Sequence, residues 1–446
     1  MAKIFRPAAA KRNKNQRQRV IEARIEHLDH QGQGVVSNHQ PIVFATGGLP
    51  GEQCQIVIHE QKKHVWLGHV KQIRSSSEER IDPFCPHSEV CGGCQLDYVD
   101  PENMREWRRQ AITQLLRKIA GLEVSNWGPD VFTEPKGYRR KTRLAIDARQ
   151  ADSIRLGYRQ QGSNQVVAIS QCQILTPKLQ ALIEPLQSWL KTCGQARHLG
   201  HITLLEGADA ILVQVKATRQ LSEGAMTSLR EFGQQYDVVV ALEDKRGEID
   251  YLVGSGDMLN YQPTADIKIS IGANDFVQVN DRVNQQMVAT AIDWLLDYKA
   301  SNVLDLFCGT GNFSLSLAQN GFAVTGVEGI ASMVERARSS AEQHALQQCN
   351  FAQKDLLNPA MVAELLQHEY DAVILDPSRE GAKEVCQQMQ AKRQPHIVYV
   401  SCNPASFARD AKLLSERGYQ LEKLSLVEMF AYTKHTELMA SFTAQK

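Results

Sequence analysis

The sequence predicts an α/β protein whose C-terminal part is a Rossmann-like, doubly wound parallel sheet. A small OB-like β-barrel and a central α+β domain are expected before it. Three observations carry this reading. Short β-like runs punctuated by glycine turns fill residues 17–76. Strand and helix patterns mix without a fixed alternation over 81–265. From about residue 270 onward, apolar strand runs and helical spacings alternate cleanly, as a βαβ architecture requires.

In the barrel region, Ile21-Glu22-Ala23-Arg24-Ile25 alternates apolar and polar, and Gly47-Gly48-Leu49-Pro50-Gly51 reads as a turn. Gln55-Ile56-Val57-Ile58 and Val65-Trp66-Leu67-Gly68-His69-Val70 are further strands, and a Ser/Glu-rich linker follows. Trp107, Ile112, Leu115, Leu116 and Ile119 recur at helical spacing. In the central region Arg143-Leu144-Ala145-Ile146 and Ala210-Ile211-Leu212-Val213-Gln214-Val215 are strand candidates. In the last domain, placed at 270–446, Asn280 and Asp281 can cap a helix running to about Tyr298. Strands are expected at Val303-Leu304-Asp305-Leu306-Phe307, Ala323-Val324-Thr325-Gly326-Val327-Glu328, Asp371-Ala372-Val373-Ile374-Leu375 and His396-Ile397-Val398-Tyr399-Val400.

Length and composition agree. The 446 residues are too many for one ordinary domain, and 43% hydrophobic with 22% charged residues is a globular balance. No stretch approaches the roughly 20 apolar residues that span a bilayer. The basic N-terminus has no apolar signal region, so a cytoplasmic, non-membrane protein is expected. Formal net charge is zero, but seven Lys or Arg precede Glu22, the first acid. Residues 1–16 read as a basic disordered tail, and Arg139-Arg140-Lys141 with Arg143 forms a second basic run. Basic runs of this kind suit a nucleic-acid partner or, equally, a solvated tail or strand face.

The first chemical motif is Asp305-Leu306-Phe307-Cys308-Gly309-Thr310-Gly311-Asn312-Phe313, which joins a strand to a helix. Its two glycines allow a tight turn and close approach to a ligand. Ser314 stands where a dinucleotide fingerprint wants a third glycine, so a nucleoside without a pyrophosphate is the better ligand. Glu328, ending the next strand, can accept hydrogen bonds from both ribose hydroxyls. With Asp305 before it and Glu328 after it, the loop points to S-adenosylmethionine.

The second motif is Asp376-Pro377-Ser378-Arg379, at a strand's carboxyl end. Arg379 occupies the position where amino-directed methyltransferases place a stacking aromatic, which argues against an exocyclic amine target. The third is Ser401-Cys402-Asn403-Pro404, a cysteine opening a polar turn after a core strand. Such a thiol can be exposed and serve as a thiolate, whereas a lone buried cysteine only packs. Carbon-5 methylation of a pyrimidine needs such a nucleophile, because the ring carbon reacts only after a thiolate has added at carbon 6. A base must then remove the carbon-5 proton. Glu437, in His435-Thr436-Glu437, is a candidate, although spacing alone does not separate it from a surface glutamate.

Ten cysteines in a chain of this kind suit metal ligation or catalysis better than disulfides. Cys85, Cys91 and Cys94 crowd around a Gly92-Gly93 turn, and Cys172 can complete a four-thiol set. Spacing leaves zinc and an iron–sulfur cluster both open, and His87 allows a mixed zinc site. The radical S-adenosylmethionine spacing is different and is excluded.

These motifs together resemble the RNA uracil-5 methyltransferases. The resemblance rests on Phe276-Val277-Gln278-Val279-Asn280, on the cofactor loop, on Asp376-Pro377-Ser378-Arg379-Glu380-Gly381, on Tyr399-Val400-Ser401-Cys402-Asn403-Pro404 with Ala408-Arg409-Asp410, and on His435-Thr436-Glu437. It implies that Cys402 is the nucleophile and Glu437 the base. It also implies that Gln278, Phe307, Asn312, Glu328, Asp355 and Asp376 surround S-adenosylmethionine. Two positions depart from the family pattern. Ser406 stands for its usual Thr, and Glu428-Met429-Phe430-Ala431 for its usual Asp-x-Phe-Pro.

The same resemblance implies a [4Fe-4S] cluster on Cys85, Cys91, Cys94 and Cys172, as in the ribosomal-RNA members, and an RNA-binding TRAM domain over 17–76. Barrel, cluster and catalytic domain together imply a uridine of 23S ribosomal RNA as the substrate and a monomeric enzyme. A tRNA or other RNA uracil-5 methyltransferase is the alternative. A cytosine-5 enzyme fits less well, because such enzymes resemble one another in placing a cysteine beside the Asp-Pro motif, where Ser378 and Arg379 stand here. A non-catalytic RNA-binding scaffold would leave the cofactor loop and Cys402 without a purpose.

Overall fold

The computed structural model describes residues 19–150 and 153–445. The basic tail expected over 1–16 lies outside the described residues. The chain divides into two compact units, Met1–Arg80 and Ile81–Lys446.

The first unit is one six-stranded sheet. Its strands are β1 (Arg19–Arg24), β2 (His27–Leu28), β3 (Gly34–Val36), β4 (Ile42–Thr46), β5 (Gln53–Gln61) and β6 (Val65–Ser75), in the order β1-β5-β6-β4-β3-β2. Ile25, Val36, Val43, Cys54, Ile56 and Trp66 meet in a single cluster. A lone sheet whose own face forms its core must curl around it, as small barrels do. Gly68 makes the curl possible, since a Cβ there would lie 2.8 Å from the Val57 carbonyl oxygen of the neighbouring strand. The chain leaves this unit through Arg80, whose guanidinium pairs with the buried Glu52 at 2.7 Å.

The second unit opens with the cysteine segment and α1 (Pro101–Ala120). Asp100 caps this helix by accepting from the Glu102 amide, and Gly121 ends it in a left-handed conformation. Its Ile112 and Leu116 share a core with Phe407, Ala411 and Leu414. Next come β7 (Lys141–Asp147), β8 (Arg155–Arg159), β9 (Val166–Ala168), α2 (Pro177–Gln180), α3 (Ile183–Thr192), β10 (Leu199–Glu206), β11 (Ile211–Ala217), α4 (Glu223–Gln235), β12 (Val239–Glu243) and β13 (Ile249–Val253). They build a seven-stranded sheet, β13-β12-β11-β10-β7-β8-β9, with Leu186, Leu190, Leu229 and Phe232 of α3 and α4 packed on one face.

A hairpin, β14 (Asn260–Thr264) and β15 (Ile267–Ser270), leads to α5 (Asp281–Asp297), capped by Asn280 as its sequence predicts. The last sheet contains β16 (Asn302–Leu306), α6 (Ser314–Gln319), β17 (Ala323–Glu328), α7 (Ala331–Gln343), β18 (Cys349–Gln353), α8 (Pro359–Leu365), β19 (Ala372–Leu375), α9 (Lys383–Gln388), β20 (His396–Ser401), α10 (Pro404–Glu416), β21 (Tyr419–Val427) and β22 (Glu437–Ala444). Its strand order is β18-β17-β16-β19-β20-β22-β21. The first five strands are parallel, joined by helical crossovers, as expected. The last two are antiparallel, which the α/β alternation did not foretell. The short link between β21 and β22 holds no helix, so the chain can only reverse there. No helix among the described residues is long and apolar enough to cross a membrane.

Candidate active site

The sheet order turns scattered residues into a row. Asp355 follows β18, Glu328 ends β17, Phe307 follows β16, Asp376 follows β19 and Cys402 follows β20. All five lie at carboxyl ends of neighbouring parallel strands, where open α/β sheets bind ligands. Glu437 joins them from the other direction, because β22 runs antiparallel and starts where its neighbours end. Ser401 pairs with Leu438 at the end of the ladder, so Cys402 and Glu437 flank that pair in their own strands, and Glu437 acts electrostatically on the Cys402 thiol.

The loop after β16 is built by backbone strain and acid. Phe307 has φ 65°, and Gly309 and Gly311 have φ 58° and 98°. A Cβ on Gly311 would approach Leu315 Cγ to 2.9 Å. Ser314, the residue that breaks the dinucleotide pattern, is buried and donates to Asp305 Oδ2 at 2.5 Å. The other oxygen of Asp305 is buried without a partner. Burial, with Asp376 nearby, pushes the Asp305 carboxyl up to about 7. Glu328 accepts from the Gly309 and Ile330 amides at 3.2 and 3.0 Å, so its carboxylate tops the loop. Asn312 and Asn284 exchange side-chain amide hydrogen bonds, both 2.9 Å, tying the loop to α5. Asp355 is exposed and accepts from the Leu357 amide at 2.9 Å. Gln278 lies in the run entering α5, its carbonyl accepting from Arg140 Nε at 2.8 Å.

Around Cys402 the charges oppose ionisation. Burial pushes its thiol up to about 11, and Glu437 and Asp376 add to the effect while Arg379 opposes it. The resting side chain is therefore a thiol, not the thiolate its turn position suggests. Glu437 is 6% exposed, so it is not a surface glutamate. Burial and the nearby Asp376 push it up to about 8, against Arg379, and burial lifts Asp376 itself to about 7. Arg379 thus acts on nucleophile and acid alike, and its Nη2 lies 3.2 Å from His435 Nδ1.

The Arg379 carbonyl is held by Asn403 Nδ2 at 2.9 Å and Ser406 Oγ at 3.1 Å. Ser406 therefore keeps the hydroxyl that the family's threonine would supply. Asp410 accepts from Tyr399 Oη at 2.7 Å and the Ala382 amide at 2.8 Å, fixing the next part of that loop. Sequence reading singled out Arg379 for the aromatic's position it occupies but not for its charge beside Cys402 and Glu437, and it missed Asn284 altogether. Phe276, two residues before Gln278, is 67% exposed.

Cys85, Cys91, Cys94 and Cys172 are free and half-buried in the same unit. Burial raises the thiol of Cys94, and Cys172, Cys85 and Cys91 add to it; Cys91 is raised by burial and then by Cys172 and Cys85. The four are electrostatic neighbours. Among the described residues, however, no group of three or more His, Cys, Asp or Glu side chains is assembled to hold a metal ion. The turn itself suits sulfur ligation. Gly93 donates to Cys91 Sγ at 3.4 Å, and a Cβ on Gly92 would strike the Arg159 carbonyl oxygen at 2.9 Å. His87 Nε2 and Asp97 Oδ2 are buried without partners close by in sequence.

A doubly wound sheet carrying a glycine loop, an acid ending the next strand and a strand-end thiol is the frame of a methyltransferase. The family model for tRNA (uracil-5-)-methyltransferase matches residues 103–443. The chain belongs to this family of S-adenosylmethionine-dependent uracil-5 methyltransferases. Among its relatives is the 23S rRNA (uracil(1939)-C(5))-methyltransferase RlmD of Alteromonas naphthalenivorans, 39% identical over 95% of this chain and 89% of the relative. The protein of the same description from Shewanella woodyi is 37% identical over 99% of both chains. A solved structure, Pyrococcus abyssi tRNA (uracil-54, C5)-methyltransferase in complex with S-adenosyl-L-homocysteine, superposes with a TM-score of 0.73. It is 23% identical and covers 95% of this chain and 100% of its own, a likeness of fold.

Proposed function

We propose that the chain methylates carbon 5 of one uridine in 23S ribosomal RNA, with Cys402 as nucleophile and Glu437 as base. The β20–β22 register, whose last pair is Ser401 with Leu438, the neighbours of Cys402 and Glu437, supports this reading. The relatives' names at 35–39% identity over nearly the whole chain support the ribosomal substrate.

Asp305, Phe307, Asn312, Glu328, Asp355 and Asp376, with Gln278, would hold S-adenosylmethionine. When bound, it supplies a methyl group on a cationic sulfonium. The uridine leaves its stack, and the exposed Phe276 ring offers a surface for a base to stack on. Cys402 gives its thiol proton to solvent, Sγ bonds to carbon 6, and the carbon 5–carbon 6 pair moves out as an enolate. Carbon 5 takes the methyl group, and the pair of the broken methyl–sulfur bond would stay on the cofactor's sulfur as a neutral thioether. Glu437 then removes the carbon-5 proton, the double bond re-forms, and the carbon–sulfur bond breaks to free Cys402.

Cys85, Cys91, Cys94 and Cys172 are read as ligands of a [4Fe-4S] cluster, with zinc as the other occupant this donor set admits. Its role is structural, since methyl transfer moves no electrons between protein and substrate. Nucleoside mass spectrometry of ribosomal RNA from a deletion strain tests the substrate. Loss of one 5-methyluridine from 23S RNA is expected, and an intact 23S pattern with loss from tRNA would select the tRNA reading.

A further inference from the structure

Glu437 is the first residue of β22, so its position depends on the loop that delivers it. That loop, residues 428–436, is bonded to the cysteine-bearing segment. Gln95 and Leu96, just after Cys94, both donate their amides to the Tyr432 carbonyl, at 2.9 and 3.0 Å. The Gln95 side chain reaches in both directions. Its Oε1 accepts from the Lys434 amide at 3.2 Å, while its Nε2 donates to the Gly92 and Gly93 carbonyls at 2.6 and 3.1 Å. Tyr432 needs such holding. Its φ of 62° is left-handed, a conformation that strains a bulky residue and persists only under outside constraint. Its ring packs on Phe84 with centroids 4.7 Å apart. Cys94, Cys172, Ala431 and Tyr432 also share one small apolar cluster with Tyr138 and Ile174.

We propose that Gln95 is a positioning residue for Glu437, tying the Cys91-to-Cys94 turn to the loop that presents the base. Cys402 has holds that do not pass through Gln95, namely Ser401, Asn403 and the Arg379 carbonyl, and its one link to the loop is the Arg379 guanidinium beside His435. Loosening the Gln95 tie therefore acts on proton removal and spares addition and methyl transfer. The inference rests on the reading of Glu437 as the base.

The test follows a single turnover of Gln95→Ala on the RNA substrate, scoring methyl transfer and decay of the covalent adduct separately. Methyl transfer within about twofold of wild type and adduct decay slowed about tenfold are expected, a partition that general destabilisation would not produce. Tyr432→Gly, which relieves the strain and removes the ring contact, should show the same partition. Equal slowing of both steps in both variants, or unchanged decay in both, overturns the proposal. Glu437→Gln in parallel separates the two readings. If it leaves adduct decay unaffected, the base assignment itself is wrong. If it traps the adduct while Gln95→Ala and Tyr432→Gly decay normally, only this inference fails.

Discussion

At the scale of single residues, the site is a contest between burial and charge. Asp376 makes both Glu437 and Cys402 harder to ionise, and Glu437 adds to the effect on Cys402. Replacing Cys402 with Ala should lower methylation by more than about 10³-fold, because no other group can add to carbon 6; methyl transfer at near wild-type rate would end the covalent mechanism. Glu437→Gln should transfer methyl but slow product release by about 10²–10⁴-fold, the usual worth of a general base. Denaturing gels should then show a protein–RNA adduct.

The raised pKa of Glu437 adds a pH signature. Glu437 works when deprotonated, so adduct decay should rise with pH through about 8, and a flat profile from acid to alkaline conditions would count against it. The same shift bears on stability. The folded chain keeps a proton on Glu437 that the unfolded chain has already released, so stability is lost as pH rises through about 8. Relative to Glu437→Gln, the ligand-free wild type should therefore melt lower as pH increases over that window.

At the scale of elements, two loops do the positioning, and each is held in a backbone conformation its residues resist. The cofactor loop relies on Gly311 at φ 98°, with Leu315 behind it. Gly311→Ala should destabilise the protein by about 1–3 kcal/mol and weaken cofactor binding, measured by denaturant titration and calorimetry; an unchanged midpoint would show that the loop tolerates the side chain. The loop before β22 lacks the family's proline at Ala431. Neighbours hold it instead. Tyr138 Oη donates to the Ala431 carbonyl at 3.3 Å, and Glu428 pairs with Arg105 at 3.2 Å. Strand and helix identities were largely legible in the sequence because their periodicity is local: α5 starts at its Asn280 cap, and β16, β17, β19 and β20 fall where their apolar runs were read, whereas β18 (Cys349–Gln353) was not read. The antiparallel edge was not legible. Nothing in the residues of β21 and β22 states which neighbour each will choose.

At the scale of the whole molecule, the chain joins a separate six-stranded unit to a larger one that contains both the cysteine segment and the catalytic row. If the first unit and the basic tail before it contact RNA phosphates, deleting residues 1–80 should weaken RNA binding and flatten its salt dependence. Single-turnover methyl transfer at saturating RNA should survive. An unchanged salt slope would remove that unit from the RNA interface. For the cysteine site, anaerobically purified protein should show the broad visible absorbance of an iron–sulfur cluster, and Cys94→Ala should lose it. A colourless protein carrying one zinc per chain would replace that assignment.

By itself, the sequence determined the chemistry on offer: a nucleoside-type glycine loop, a strand-end cysteine, an acid after β19, and four thiols around a glycine turn. These are local signals, written in spacing and residue type, and the family resemblance joined them. Only the tertiary structure decided how they act together. Strand order set Asp355, Glu328, Phe307, Asp376 and Cys402 in a row. An antiparallel register brought Glu437 and Cys402 to either side of the Ser401–Leu438 pair, and burial made an acid of Glu437, which would be charged in water, and a still weaker acid of the Cys402 thiol. The reason is that pairing partners and desolvation belong to residues far apart in the chain, and no local pattern encodes them.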